Sequence, residues 1–212
     1  MAKPSSLIEF DRSLGAVVCG ADEAGRGCLA GPIVAAAVRI DYSRLNEPEI
    51  ELLSGLDDSK RLTPDRREQL LPIVMRCARS VGVVARGPRW IDELGLHRTN
   101  LEAVATALNR VWRDNAVALS DGYQVNDSAG VSRPIVKGDA TSAAIAAASV
   151  VAKVTRDRMM RAADARHPGY GFAQHFGYAT EAHREAIVAL GPSPIHRMSF
   201  ASVAYEQLSL AG

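Results

Sequence analysis

The stretch from 140 to 166, "ATSAAIAAASVVAKVTRDRMMRAADAR", constrains the fold more than any other part of the chain. Its spacing predicts one long helix that stops before His167 and Pro168. The first half is built almost wholly from Ala, Ser and Val, so it has little side-chain bulk with which to interlock. Such a face lets the helix backbone lie very close to a sheet or another backbone. Short apolar runs are available for that sheet. Residues 16–21 and 30–40 read as two strands, and the short glycine-rich connection between them makes them antiparallel neighbours. Further strands are expected at 81–87, 115–122 and 134–139.

Helices fill the intervals. Thr63 as N-cap, Pro64 at the first helical position and Asp65 in the first turn start one that runs through Leu70, Ile73, Val74 and Cys77, with a kink expected at Pro72. An amphipathic helix at 100–114 would bury Leu101, Val104, Leu108, Val111 and Trp112. Thr180 and Gly191 bound a third. Residues 122–134 and 167–179 read as loops, and the tail as a short packed helix. The fold class is therefore α/β. At 212 residues the expectation is a single domain, 1–212, with a short C-terminal helical segment.

Composition narrows the function. A 47% apolar, 23% charged chain is globular, and a net charge of +1 confines any polyanion-binding surface to a local patch. Cys19, Cys28 and Cys77 are an odd set without C-x-x-C spacing, which argues against a disulfide frame or structural zinc and fits a reducing cytoplasm. The longest apolar run, 143–152, is too short to span a membrane.

The chemistry concentrates in "CGADEAGRGCLAGP" (19–32). Asp22 and Glu23 stand together at the end of an apolar strand, where each raises the other's pKa unless a cation sits between them. Gly25 and Gly27 flank Arg26, offering backbone N–H groups and a guanidinium to a phosphate. Neither the dinucleotide fingerprint nor the P-loop pattern is present. Asp121 closes another strand and precedes Gly122, which also suits a simple turn. Asp139 stands before the long helix, where it could equally be an N-cap. Taken together, four carboxylates at strand ends, without His or Cys neighbours, suit Mg²⁺ or Mn²⁺ and phosphoryl chemistry. The five histidines lack ligand spacing and read as structural or surface groups. Lys153, Arg156 and Arg161 share a helical face that, with Lys60, Arg61, Arg66 and Arg67, could form the local phosphate-contacting patch. Asp157, among those arginines, reads as structural.

The stretches "GADEAGRGCLAGP", "DDSKRLT", "SDG", "VKGD", "AAASVVAKVTRDRMM", "YGFAQHFGYATEAH" and "GPSPIHRMSF", in that order, make the chain resemble ribonuclease HII, the type 2 ribonuclease H. The resemblance covers nearly the whole chain. It implies the ribonuclease H fold, a mixed five-stranded sheet flanked by helices. It further implies cleavage of the RNA strand of RNA/DNA hybrids and incision 5′ to ribonucleotides embedded in duplex DNA, with two Mg²⁺ or Mn²⁺ ions. By the family pattern Asp22, Glu23, Asp121 and Asp139 are the catalytic metal ligands. Gly25, Arg26 and Gly27 would read the ribose 2′-OH, and Tyr178 would stack on the next deoxyribose. Lys60 and Lys153 are candidate phosphate contacts. Phe176 stands where the family often has lysine. No sliding-clamp peptide occurs in the sequence, and a monomer without membrane association is expected. Another nuclease of the same fold, such as a junction resolvase, and a non-catalytic binder of hybrids are the alternatives.

Overall fold

The computed structural model describes residues 5–56, 62–127, 130–202 and 205. Its elements are α1 (Ser6–Leu14), β1 (Val17–Ala24), β2 (Ile33–Asp41), α2 (Glu47–Leu53), α3 (Pro64–Cys77), β3 (Ser80–Arg86), α4 (Pro88–Leu94) and α5 (Leu96–Val111). There follow β4 (Val117–Asp121), β5 (Asn126–Asp127), β6 (Gly130–Val131), β7 (Arg133–Ile135), a 3₁₀ turn (Gly138–Ala140), α6 (Ala143–Arg166), α7 (Phe172–His175) and α8 (Glu181–Leu190).

Five strands form one mixed sheet in the order β3-β2-β1-β4-β7. The β1–β2 and β2–β3 pairs are antiparallel, whereas β4 runs parallel to both β1 and β7. α6 covers one face and α5 the other, and the small residues explain how closely. A Cβ added at Gly20 of β1 would lie 2.2 Å from the backbone carbon of Ala144, and one at Gly82 of β3 would lie 2.8 Å from the Ala107 carbonyl oxygen. Glycine is required at both places because no side-chain atom fits between sheet and helix. The alanines of α6 from Ala143 to Ala148 are fully buried, joining Val18, Val38, Ile40 and Leu119 on the sheet. On the other face Cys19, Ala21, Ala35 and Ala37 meet Ala103, Val104, Ala107 and Leu108 of α5.

Local signals act as the sequence predicts. Thr63 and Thr180 cap α3 and α8 with side-chain oxygens that accept from backbone N–H groups, and Ser142, which sequence reading did not single out, does the same for α6. Asp11 of α1 holds the start of α6, its Oδ2 accepting from Ala144 N–H at 2.8 Å and from the Tyr42 hydroxyl at 2.5 Å. α3 continues through Pro72, and α5 begins four residues before its expected start, at Leu96. Three expectations change. The strand expected at 134–139 is β7, Arg133–Ile135, after which the chain passes into the 3₁₀ turn Gly138–Ala140. Residues 122–134 are not simply a surface loop: β5 and β6 pair there, and Val125 and Ser132 are buried, with the Ser132 hydroxyl bonded to Val125 N–H and Ser120. Within 167–179 the chain makes the short α7. The three cysteines are free and buried. Among the described residues no helix is long and apolar enough to cross a membrane. The expected C-terminal helix lies largely outside the described residues.

Candidate active site

β1 carries the two adjacent acids into the middle of the sheet, and strand geometry separates them. Successive side chains point to opposite faces. Asp22 shares the α6 face with Gly20 and engages Ser149, while Glu23 shares the α5 face with Cys19 and Ala21 and engages Asn100. The parallel register pairs Ala21 with Ser120, so Asp121, one residue further on β4, ends beside Asp22. Its Oδ1 accepts from Gly138 N–H at 2.7 Å, which ties it to the 3₁₀ turn. Asp139 occupies that turn and is 2% exposed. Ser142, not Asp139, caps α6.

Asp22, Glu23 and Asp121 share one electrostatic field. Asp22 is pushed up to about 8, first by burial and then by Glu23 and Asp121. Glu23 is also raised, chiefly by burial and further by Asp121, against the pull of the Arg26 guanidinium. Arg26 lies 3.5 Å from Glu23 Oε1 and 4.8 Å from the centroid of the Tyr123 ring. Asp22 Oδ1 accepts Glu23 N–H at 2.7 Å, but its buried Oδ2 has no hydrogen-bond partner. A buried carboxylate oxygen left bare beside two further acids matches the demands of a hard cation. Among the described residues no three acid, histidine or cysteine side chains are drawn up as a closed cage. Mg²⁺ does not need one, since it binds through one or two carboxylates and keeps waters and substrate phosphate as its other ligands.

An open cleft of about 250 Å³ runs past Asp22 and Glu23 and is lined also by Gly25, Arg67, Ser149, Lys153 and Tyr178. Lys153 is anchored to Asp157 at 2.7 Å, and its ammonium lies 5.4 Å from the centre of the Tyr178 ring. Asp157 also meets Arg67 at 3.7 Å, in agreement with its structural role. Gly25 has φ +95, and a Cβ there would fall 2.0 Å from Arg156 Nε. At Gly27 a Cβ would meet nothing within 4 Å, so its backbone faces open space. Tyr178 is 41% exposed.

Arg156 is not part of a phosphate-contacting face. It is fully buried, donating from Nε to Pro32 O at 3.0 Å, from Nη1 to Phe176 O at 2.9 Å and from Nη2 to Ala30 O at 3.1 Å. Arg158 and Arg161 turn instead to Glu68. Lys60 and Arg61 lie outside the described residues. Sequence reading missed Asn100, Ser149 and the cleft position of Arg67. Ser149, a hydroxyl inside an Ala-Val run, was the one visible signal.

Solved structures with this architecture are ribonucleases H. The ribonuclease H2 of Pyrococcus horikoshii OT3 superposes with TM-score 0.75 at 26% identity, covering 92% of this chain and 99% of that one. The ribonuclease HII of Archaeoglobus fulgidus, solved in complex with PCNA, gives TM-score 0.71 at 25% identity over 88% of this chain and 96% of that one. Bst ribonuclease HIII with Mn²⁺, 20% identical over 99% of this chain and 74% of that one, shares the fold at TM-score 0.72. The mixed sheet with acids at the ends of β1 and β4 thus places the molecule in the ribonuclease H class of nucleases. Sequence narrows this further. The family model "Ribonuclease HII" matches residues 19–203, and the chain belongs to that family. The ribonuclease HII of Mycobacterium avium (strain 104) is 48% identical over 88% of this chain and 79% of its own length. That of Mycobacterium tuberculosis (strain CDC 1551 / Oshkosh) is 46% identical over 88% and 69%. The protein is accordingly a hydrolase, an endonuclease with ribonuclease H activity, which sets aside the non-catalytic alternative.

Proposed function

We propose that this enzyme cuts the RNA strand of RNA/DNA hybrids and also incises 5′ to single ribonucleotides embedded in duplex DNA, leaving 5′-phosphate and 3′-hydroxyl ends. The observation that carries the reading is the bare, buried Asp22 Oδ2 in a field shared with Glu23 and Asp121. Asp22, Glu23 and Asp121, with Asp139 from the adjoining turn, would hold two Mg²⁺ or Mn²⁺ ions. When bound, such ions supply water activation and stabilise the leaving oxygen. The protein's own part is to hold the acids apart on two sheet faces, to fix Asp121 through Gly138 N–H, and to keep Asp22 ready to accept a cation in place of a proton.

Selection of the ribonucleotide falls to Gly25, Arg26 and Gly27. A 2′-OH in the shallow minor groove is reached by backbone without side chains, and the open space at Gly27 leaves room for that approach. Tyr178 supplies a flat, half-exposed ring for the neighbouring deoxyribose, and Lys153 a charge beside it for phosphate. Lys60 would add a second phosphate contact. The protein acts as a monomer of one catalytic domain, and its three free buried cysteines suit the cytoplasm.

A DNA duplex carrying one ribonucleotide tests the reading. The expected result is a single cut on its 5′ side that requires Mg²⁺ or Mn²⁺, with Asp22→Asn binding the duplex but not cutting it. Undiminished cutting by Asp22→Asn would eliminate the assigned site.

A further inference from the structure

Two histidines that the catalytic reading leaves unused connect to the backbone of Tyr178. His183, in the first turn of α8, is fully buried, and His196 is 3% exposed. Their Nε2 atoms face each other at 3.1 Å. Two imidazole nitrogens can share a hydrogen bond only if one carries a proton and the other does not. A backbone amide decides which. Ser193 N–H donates to His196 Nδ1 at 2.8 Å, and the Ser193 hydroxyl lies at 2.8 Å from the same atom. That nitrogen is therefore bare. The longer contact from His196 Nδ1 to the Ser193 carbonyl, 3.3 Å, would need the opposite tautomer and yields to an amide that can only donate. Neutral His196 thus carries its proton on Nε2 and donates it to His183 Nε2. His183 keeps its proton on Nδ1 and donates to the Tyr178 carbonyl at 2.8 Å.

The segment that follows the Gly-Arg-Gly turn pairs with the backbone of both these regions. Cys28 bridges to Tyr178 and Ala30 bridges to His196. Leu29 N–H donates to Gly177 O at 2.8 Å, and Gly31 N–H donates to Ile195 O at 2.8 Å. The segment that continues from Gly27 is therefore held between the Tyr178 and His196 segments, which the two imidazoles join to each other. Burial holds His183 and His196 down to about 4, so both are neutral near pH 7. The groups facing them are His175, stacked on His183 at 4.3 Å, His167, and the Tyr170 and Tyr205 rings beside His196. His175 Nδ1 accepts Gly177 N–H at 3.1 Å, and its Nε2 lies 2.7 Å from Tyr170 O.

We propose that His196 and His183 form a directional hydrogen-bond relay, Ser193 N–H to His196 to His183 to Tyr178 C=O, that positions Tyr178 against the Gly25–Gly27 turn. Both are positioning residues for recognition of the ribose–deoxyribose junction. The role in recognition rests on the reading of Tyr178 given above; the relay itself does not.

Nitrogen-15 NMR of the imidazoles in the intact protein tests the relay directly. His183 is expected as the Nδ1–H tautomer, the less common form, and His196 as Nε2–H. An Nε2–H His183, or a charged ring at pH 7, overturns it. For recognition, His183→Leu is expected to raise KM for the single-ribonucleotide duplex about tenfold, as the loss of one hydrogen bond suggests, with kcat nearly unchanged. His183→Asn, whose amide N–H can replace Nδ1–H, should restore most of that loss. In a Tyr178→Ala background His183→Leu should add nothing. A further tenfold rise there, or a fall in kcat alone, would make the histidine merely structural and overturn the role. If Tyr178→Ala leaves KM unchanged, the reading of Tyr178 fails and the recognition role with it, while the NMR result still stands or falls alone. Should the Leu variant not fold, His183→Asn and the NMR spectrum decide.

Discussion

Two regions of this molecule bury charge, and they do so in opposite ways. At the strand ends, Asp22, Glu23 and Asp121 crowd like charges together, and one buried oxygen of Asp22 is left bare. About Arg156, every guanidinium nitrogen has a carbonyl partner, on Pro32, Phe176 and Ala30. Arg197 nearby donates from Nε to Gly31 O at 3.0 Å and from Nη1 to Arg26 O at 2.9 Å, while its buried Nη2 has no partner. The difference separates function from scaffold. A buried charge with its partners in place stabilises a geometry, whereas a bare carboxylate oxygen crowded by two further acids suits a cation. The two regions are also coupled, because the guanidiniums hold the turn whose glycines adjoin the acids.

The largest effect expected from probing this contrast is at Asp22. Asp22→Asn should reduce cleavage by at least about 10³-fold, roughly 4 kcal/mol in the barrier, while the metal-free protein melts no lower than wild type because repulsion is relieved. A variant that loses activity and also stability would put Asp22 with the scaffold instead. Next is Arg156→Met, which strips three carbonyls of their donor and should cost about 3 kcal/mol in urea denaturation. A loss below about 1 kcal/mol would break the comparison from the other side.

The histidines give a pH signature. Their pKa values fall from 6.5 to about 4 on folding, so below 6.5 the unfolded chain binds more protons than the folded one. Stability contributed by the neutral pair is full above about 6.5 and is lost as pH falls toward about 4. The slope should approach about 1.4 kcal/mol per pH unit for each imidazole, and His183→Asn should flatten it. Chemical denaturation across that range checks the sign. A smaller effect is expected from cations: Mn²⁺ at ten times its dissociation constant should stabilise wild type by about 1.4 kcal/mol and Asp22→Asn by clearly less, read as a melting shift reversed by chelator. Smallest of all is Gly27→Ala, whose Cβ would enter open space; it should change stability by less than about 0.5 kcal/mol. Gly27→Val should nonetheless impair incision at a single ribonucleotide more than Arg26→Ala does.

The backbone plan was legible because each element carries its own signal. Caps at Thr63 and Thr180 marked helices, apolar runs marked β1 and β2, and the short connection made them antiparallel. The 122–134 segment was misread because its turn residues hide a buried hydroxyl, Ser132, that only its tertiary partner Ser120 explains. Arg156 was misread for a related reason. Helical spacing gives a residue's direction around its own axis but not what lies in that direction, and here it was three carbonyls from 30, 32 and 176.

The order and type of the main elements, and the candidacy of Asp22, Glu23, Asp121 and Asp139, follow from the chain alone, since caps, periodicity and paired acids act over a few residues. Tertiary structure decided that Asp22 and Glu23 diverge to opposite sheet faces and that Asp121 joins them through parallel register. It also decided that Ser149 meets Asp22, that Asn100 meets Glu23 and that a buried pair of histidines meets the Tyr178 carbonyl. Those contacts join residues far apart in sequence, and hydrogen-bond partners, desolvation and field exist only once the chain has brought them within a few ångströms.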